Sequence, residues 1–218
     1  MKGKWIAVLR SVLIGLTVLA GAIALPVLWR SFFYLHIEPL NLTDAVGLTA
    51  EQVKTAYNEM MDFCIGLTDN FSVGVLDWSE AGKAHFADVR KLFVLDLWVL
   101  AVSAVLLLAL TWLRRKKRDR LCGHTPGFWG AVGLGAAFLI VGGLAALDFN
   151  RAFVIFHQLF FPGKDNWLFD GREDPVIYML PQEFFRNCAI LILSGILLVC
   201  CGLIGWDLWK QTKDRRKP

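Results

Sequence analysis

The sequence lacks the short motifs that mark the common hydrolytic enzymes. It has no G-x-S-x-G, the turn that presents the nucleophilic serine of α/β-hydrolases, and no H-E-x-x-H, the helical zinc site of many metalloproteases. Its cysteines and histidines also lack the spacing of a structural zinc site. No motif therefore supports a serine hydrolase or a zinc enzyme.

Cysteine is sparse, with five residues in the chain. Cys122 falls in a basic segment, and Cys188, Cys200 and Cys201 fall in the last apolar segment, which leaves Cys64 without a partner. A disulfide framework is therefore excluded, and we expect structural cysteines. A Cys64 that carries an acyl group is the alternative.

Charge is nearly absent from four long apolar segments, which cover approximately residues 5–29, 92–113, 128–147 and 187–209. A helix needs about 20 apolar residues to cross the hydrocarbon core of a bilayer, and each segment has that length. The chain is 56% hydrophobic with a mean hydropathy of +0.51, which is too apolar for a soluble domain of this size. We therefore predict an all-α integral membrane protein with four transmembrane helices.

Basic residues are distributed unevenly around these segments. Fourteen of the 23 lysines and arginines, but only three of the 19 acidic residues, lie near the termini or around the loop 114–127. Because loops rich in lysine and arginine stay in the cytoplasm, both termini and this loop are predicted to be cytoplasmic. Segments 31–91 and 148–186 would then form a mostly helical extracytoplasmic cap of a single membrane domain, residues 1–218. The pI near 8.9 thus reflects membrane topology and does not indicate nucleic-acid binding.

The first apolar segment also resembles a signal peptide, because Lys2 and Lys4 precede it and small residues follow its apolar run. It is long for a signal peptide, however, and Trp29 and Arg30 close it as they would close a retained span. We expect the segment to be retained.

The outer segments contain recognisable helix signals. Thr49, with Gln52 three residues later, forms a capping box. The apolar face that follows, from Val53 to Cys64, is expected to pack on the protein, with the lipid surface as the alternative. Ser79 could cap a helix that continues into the second span.

The third span has no obvious stop at its outer end and is predicted to continue as a helix as far as Pro162. Two of the four histidines, His85 and His157, then stand roughly 10 and 15 Å beyond spans two and three, at about 1.5 Å per residue. An imidazole exchanges protons near neutral pH, so such a pair indicates acid–base catalysis. A structural hydrogen bond at each is the alternative, and His36 and His124 are expected to be structural.

Polar neighbours could assist the two histidines. Asp88, three residues after His85, could orient its ring or instead pair with Lys91 or Arg90. Asn150 shares a helix face with His157 and could offer an amide.

Arginines occur at the outer end of each span, as Arg30, Arg90, Arg151 and Arg186. One interpretation is structural: these arginines form ion pairs, or they extend their charged groups from the end of a span into water. The other is functional: one or two of them bind a lipid headgroup or stabilise an oxyanion. Arg151 is preferred for the second role because it shares a helix with His157. Asp96, about one turn inside the second span, is expected to pair with one of these arginines.

Several motifs resemble one known family. They are His85-Phe86-Ala87-Asp88-Val89, Phe156-His157 followed by Phe160-Phe161, Asn166-Trp167-Leu168-Phe169-Asp170, and Leu180-Pro181-Gln182-Glu183-Phe184-Phe185. With these motifs in this order, four spans and a large first outer loop, the chain resembles the lipoprotein intramolecular transacylases of Gram-positive bacteria over essentially its whole length.

The resemblance implies a membrane O-to-N acyltransferase. Its substrate would be a membrane lipoprotein whose N-terminal cysteine carries a thioether-linked diacylglyceryl group. The sn-2 acyl chain would move onto that cysteine's own α-amino group and give the lyso-form lipoprotein. The family's two catalytic histidines correspond to His85 and His157. The implied partners are the diacylated lipoprotein and membrane lipid, with no cofactor and no metal.

This reaction suits the residues present. Donor ester and acceptor amine belong to one molecule, so no acyl-carrying nucleophile is needed. One histidine can deprotonate the amine, while the other protonates the departing glycerol oxygen or stabilises the oxyanion. The sequence does not assign these roles. Phe149, Phe153, Phe156, Phe160 and Trp167 would line the acyl path and exclude water.

Two other classes remain open. A metal-binding membrane protein would hold zinc on His85, His157 and an acid, and a non-enzymatic assembly factor would tolerate the loss of both histidines. A transporter is disfavoured, because the spans contain few polar residues besides Asp96.

Overall fold

The computed structural model describes residues 2–117 and 119–215. Among the charged residues that predict the orientation, Arg118, Arg216 and Lys217 lie outside the described residues, as do the side chains of Lys2, Asp214 and Arg215.

Regular structure in the described residues is helical, apart from one isolated bridge between Leu121 and His124. Nine helices occur there: α1 (Lys2–Leu28), α2 (Arg30–Tyr34), α3 (Leu42–Val46), α4 (Ala50–Cys64), α5 (Glu80–Leu113), α6 (Pro126–Leu147), α7 (Phe149–Phe160), α8 (Val176–Met179) and α9 (Gln182–Arg215). Four of them contain stretches long and apolar enough to cross a membrane, namely Gly3–Leu28, Glu80–Leu113, Pro126–Leu147 and Gln182–Lys213. The prediction of an all-α fold with four spans is confirmed.

Helix α5 is longer than a bilayer crossing requires. Its 34 residues extend about 51 Å at about 1.5 Å per residue, whereas the hydrocarbon core is about 30 Å thick. The polar residues of the helix are concentrated in its first three turns, before the apolar stretch that follows Lys91. His85 therefore lies on a long, regular helix, in a part whose composition is not that of a lipid-facing span.

The chain divides into two compact units. The first unit comprises the described residues within 1–23, 97–144 and 191–218, and the second comprises residues 24–96 and 145–190. Each unit has its own buried apolar cluster.

The first unit is packed through small residues. Its core contains Ala22, Ala131, Ile196 and Cys200. At Gly130, an added Cβ would lie 2.6 Å from the Ser11 carbonyl oxygen, so only glycine permits this close approach of α6 to α1. Small residues at helix contacts are typical of membrane bundles.

The second unit has a core rich in aromatic side chains. Phe33 and Tyr57 stack with ring centroids 3.7 Å apart and an interplanar angle of 5°. Helix α4 begins with the predicted capping box, in which the Thr49 amide donates to Gln52 and the Gln52 amide donates back to Thr49. Its apolar face is buried in this core, which confirms packing on the protein over exposure to lipid.

The predicted continuous helix from the third span to Pro162 is wrong. Helix α6 ends at Leu147, and Asp148 adopts an extended conformation with φ −154° and ψ 91°. The Asp148 carboxylate accepts a hydrogen bond from the Arg151 amide at 3.0 Å and caps a new helix, α7. The height of His157 therefore cannot be obtained by extending the third span in a straight line.

Candidate active site

His85 on α5 and His157 on α7 meet in the second unit. Their ring centroids are 5.9 Å apart with an interplanar angle of 28°. Both residues are buried, with exposed fractions of 6% and 8%. Two imidazoles at this distance repel each other when both are charged, so the pair favours a state with at most one added proton.

His157 is oriented by its own helix and by an aromatic neighbour. Its Nδ1–H donates to the Phe153 carbonyl oxygen at 2.8 Å, which fixes the tautomer and leaves the lone pair on Nε2. Trp167 stacks on the ring at 4.7 Å. Burial lowers the pKa of His157 below its ordinary value, and the bond to Phe153 offsets only part of this effect. A neutral imidazole with a free Nε2 can accept a proton.

His85 is held by contacts with aromatic rings. Phe161 lies at 4.9 Å, Phe169 at 5.4 Å and Phe86 at 5.8 Å from its ring centroid. No hydrogen bond joins the His85 ring to another residue in the described part of the chain, and its Nδ1 is buried without a partner. The Nδ1 atom of this ring therefore lacks the partner that a buried polar atom normally has.

Asp88 does not hydrogen-bond to His85. Its carboxylate accepts from Lys91 at 2.9 Å, from Lys164 and, at 3.5 Å, from the side-chain amide of Asn166. Asp88 was expected either to orient the His85 ring or to pair with Lys91 or Arg90. The structure shows the ion pair with Lys91. Lys164 was not predicted as a partner, because a lysine in a loop 76 residues away gives no local signal of such a pair.

A second carboxylate fixes the start of the helix that carries His85. Asp174 accepts from the Ser79 amide at 2.8 Å and from the Ser79 hydroxyl at 2.7 Å, and Ser79 in turn caps α5 by accepting from the Gly82 amide at 2.9 Å. A side chain at Gly82 would collide with the Asp174 carboxylate. This contact ties the segment after α7 to the beginning of α5.

The other candidate residues lie at different places. Trp167 contacts His157 directly, whereas Arg90 binds Asp69 at 2.7 Å and the Thr68 carbonyl at 2.9 Å.

Arg151 and Asn150 are exposed, and within the described residues their side chains make no hydrogen bond or ion pair. Six residues place Arg151 about 120° around the helix from His157, so sharing a helix does not by itself bring the two side chains together, and the role of Arg151 stays a prediction.

Asp96 is not paired with an arginine in the described residues. Arg30 binds Asp62 at 2.8 Å instead, and Arg90 is bound to Asp69. The predicted ion pair of Asp96 is therefore wrong, because the nearer carboxylates of the second unit occupy these two arginines.

Comparison with protein families identifies the chain. The family model of the lipoprotein intramolecular transacylase Lit matches residues 8–185. The chain belongs to this family. It is therefore a membrane-integral acyltransferase, and the resemblance seen in the sequence is confirmed.

Solved structures of a Lit protein have the same fold. A structure of the membrane-integral lipoprotein intramolecular transacylase Lit from Bacillus cereus superposes with a TM-score of 0.88, at 28% identity over 98% of each chain. Structures of the Bacillus cereus protein with the H85R and H85A mutations give TM-scores of 0.82 and 0.80, at 25% and 26% identity, and cover at least 95% of either chain. A comparison with curated protein sequences finds no match.

Cys64 does not offer a reactive thiol in this chain. Cys64 is 1% exposed, and burial raises the pKa of its thiol to about 12, which suppresses the reactive thiolate. Among residues 2–117 and 119–215, no three histidine, cysteine, aspartate or glutamate side chains converge as metal ligands.

Proposed function

We propose that the protein transfers the sn-2 acyl chain of a diacylglyceryl-cysteine lipoprotein to the α-amino group of the same cysteine. The product is the lyso-form lipoprotein. The observation that carries this proposal is the buried pair of His85 and His157, 5.9 Å apart, on a chain of the Lit family. The proposed site lies on the extracytoplasmic side, with both termini in the cytoplasm, as the charge distribution supports.

His157 acts as the general base. The substrate amine enters in its neutral form, and its nitrogen attacks the ester carbonyl carbon while His157 Nε2 takes one N–H proton. The hydrogen bond between Nδ1 and the Phe153 carbonyl supports this role, because it keeps the Nε2 lone pair free and stabilises the imidazolium that forms.

His85 stabilises the oxyanion. A charged His85 would be unfavourable among Phe86, Phe161 and Phe169, because no carboxylate hydrogen-bonds to it. A neutral ring can still donate one N–H to the carbonyl oxygen as negative charge develops there.

The proton balance closes within the pair. When the tetrahedral intermediate collapses, the bond from carbon to the glycerol oxygen breaks, and the His157 imidazolium returns its proton to that oxygen. A new C–N amide bond has replaced the C–O ester bond, and both histidines are neutral again. The aromatic rings of Phe153, Phe156 and Trp167 around His157 support the exclusion of water, which would otherwise hydrolyse the ester.

The experiment is to express the protein in a bacterium whose lipoproteins are diacylated and to sequence their N-terminal lipopeptides by tandem mass spectrometry. The expected product has an unchanged mass, with one acyl group on nitrogen. His157→Ala should abolish this isomer. An unmodified α-amine in the wild-type sample would refute the proposal.

His36 provides a matched control. Its Nδ1 binds the Phe32 carbonyl at 2.7 Å, four residues back, and Phe32 and Phe184 surround its ring, but its ring does not contact a second imidazole. His36→Ala should therefore retain transfer. Activity that survives a metal chelator would exclude the zinc alternative.

A further inference from the structure

Asn166 is adjacent in sequence to a residue that contacts the histidine pair. It is in the segment between α7 and α8, immediately before Trp167, whose ring stacks on His157 at 4.7 Å. Its side-chain nitrogen donates to the Asp88 carboxylate at 3.5 Å, on the α5 face three residues from His85. One residue thus connects the surroundings of both imidazoles.

The contact with Asp88 determines which way the amide points. The Asp88 carboxylate is bound by Lys91 and Lys164, so it is ionised and can only accept hydrogen bonds. The NH₂ group of Asn166 must therefore face it. The carbonyl oxygen Oδ1 points away from the ion pair.

This carbonyl oxygen is buried and accepts no hydrogen bond from the described residues. Buried acceptors of this kind are unfavourable and uncommon in native proteins. In the described part of the chain, three buried side-chain atoms lack a partner: Asn166 Oδ1, His85 Nδ1 and, in the first unit, Arg10 Nε. Two of the three therefore belong to the candidate active site, which indicates that a bound molecule supplies their partners.

A carbonyl oxygen can bind only a hydrogen-bond donor. The ester and thioether groups of a diacylglyceryl-cysteine have none, whereas its α-amino group has two N–H bonds in the neutral form. In the proposed reaction one of them goes to His157. The other becomes more acidic as the nitrogen attacks and gains positive charge, so an acceptor placed there stabilises the transition state more than the ground state.

We propose that Asn166 Oδ1 accepts a hydrogen bond from the α-amino group of the lipoprotein substrate and directs the nitrogen toward the ester carbonyl. Asn166 is then a substrate-binding residue specific for the acceptor amine. This inference rests on the proposed acyl transfer to nitrogen.

The test uses the full-length enzyme in detergent and a synthetic lipopeptide with an S-diacylglyceryl cysteine at its N-terminus. Asn166→Leu removes the carbonyl with little change in shape and should lower kcat by about tenfold to a hundredfold. Asn58→Leu is the matched control, because the Asn58 carbonyl in the same unit already accepts from the Tyr34 hydroxyl at 2.7 Å. Its kcat should stay within about threefold of wild type once folding is verified.

A second lipopeptide, methylated on the α-amino nitrogen, separates direct binding from an effect through Asp88. Its single N–H can go to His157 only, so wild type should lose the advantage that Asn166 gives. The ratio of wild-type to Asn166→Leu rates should fall from at least tenfold on the primary amine to about one on the methylated amine. A purely structural role would leave the ratio unchanged.

The outcomes are distinct. Wild-type enzyme that transfers no acyl group to nitrogen would refute the proposed function itself. Normal wild-type transfer with an unaffected Asn166→Leu, or a ratio that persists on the methylated amine, would overturn the role of Asn166 alone. A persistent ratio would point to Asp88 or to the peptide N–H of the second residue.

If Asn166→Leu does not fold, Asn166→Ala replaces it. If neither variant folds, the wild-type rates on the primary and the methylated lipopeptide test the inference. Equal rates on the two amines would overturn it.

Discussion

Two histidine clusters in the described residues, one in each unit, obtain their hydrogen-bond partners in different ways. In the first unit, His124 Nδ1 donates to Asp207 at 2.7 Å, and Asp207 also accepts from the Thr125 amide at 2.8 Å and from Gln211 at 2.9 Å. Asp207 is 1% exposed, and both of its oxygens are occupied. In the second unit, no carboxylate hydrogen-bonds to His85 or His157.

The difference supports a structural role for the first cluster and the proposed catalytic role for the second. Buried polar groups need partners, and the Asp207 cluster takes all of them from the chain itself. The His85 ring takes none from the described residues, and its Nδ1 is unpaired. Substitutions in the first cluster should therefore affect stability, and substitutions in the second should affect activity.

The largest expected effect comes from glutamine substitutions at the two catalytic candidates. Glutamine can donate an N–H but cannot act as a base near neutral pH. His157→Gln should therefore lower kcat by about 10²–10⁴, as far as His157→Ala does. His85→Gln should retain at least about tenfold more activity than His85→Ala, because it still offers a donor to the oxyanion. Initial rates on a synthetic lipopeptide measure both.

Melting temperatures close to wild type would show that these variants are folded. The opposite pattern, with His157→Gln partly active and His85→Gln inactive, would exchange the two proposed roles.

Asp207→Leu is expected to have the next largest effect, and on stability instead of activity. It leaves the Thr125 amide, the His124 ring and the Gln211 amide without their common acceptor. The free energy of unfolding should fall by about 1–3 kcal/mol, and Asp207→Asn should lose less because it keeps one acceptor oxygen. Thermal unfolding in detergent measures this.

Activity per folded molecule should remain near wild type in Asp207→Leu. A strong loss of kcat without a loss of stability would mean that the first cluster takes part in the chemistry and would break the comparison.

A smaller effect is expected from pH. Burial lowers the pKa of His157. The imidazole of the folded protein therefore remains neutral at pH values just below its ordinary pKa near 6.5. The acidic limb of the kcat/KM profile should therefore have its midpoint below about pH 6.5. The same shift affects stability, because the pKa of His157 is lower in the folded state than in the unfolded state. The stability that the neutral imidazole contributes is fully present above the unfolded-state pKa and is lost as the pH falls through the folded-state pKa.

Rates between about pH 4.5 and 8 would measure this midpoint. His36→Ala should leave the profile unchanged, and an acidic midpoint at or above about 6.5 would argue against a buried, neutral base.

Local patterns in the sequence predicted much of the fold. Apolar length alone gave the four spans, and the spacing of Thr49 and Gln52 gave the start of α4, because both depend on neighbouring residues. The break at Asp148 was missed, since an aspartate inside a polar stretch is compatible with a continued helix. Only the observed extended backbone distinguishes a cap from an interior residue.

The meeting of His85 and His157 was predictable from the sequence, but the contacts around them were not. His85 and His157 were identified from residue type, estimated height and family resemblance. The partners of Asp88 were not, because Lys164 and Asn166 approach it from a segment 76 and 78 residues away. Arg151 was preferred because it shares a helix with His157, although rotation around a helix separates residues six positions apart. Such contacts depend on how distant segments pack together, and local patterns in a single sequence do not predict that packing.

The smallest expected effect tests whether burial in the second unit is enough to make a group reactive. Cys64 is as buried as the histidines, but it belongs to the apolar core around Tyr57 and Phe63. Burial raises the pKa of its thiol to about 12, so almost no thiolate forms at neutral pH. Cys64→Ala should retain the wild-type rate within about twofold and lose about 1 kcal/mol of stability from the small cavity. Rate and melting temperature, measured together on the lipopeptide, decide the matter. If the variant folds normally but forms no N-acyl product, the acyl group travels through a thioester, and unpaired polar atoms no longer distinguish the reactive cluster from the rest of the unit.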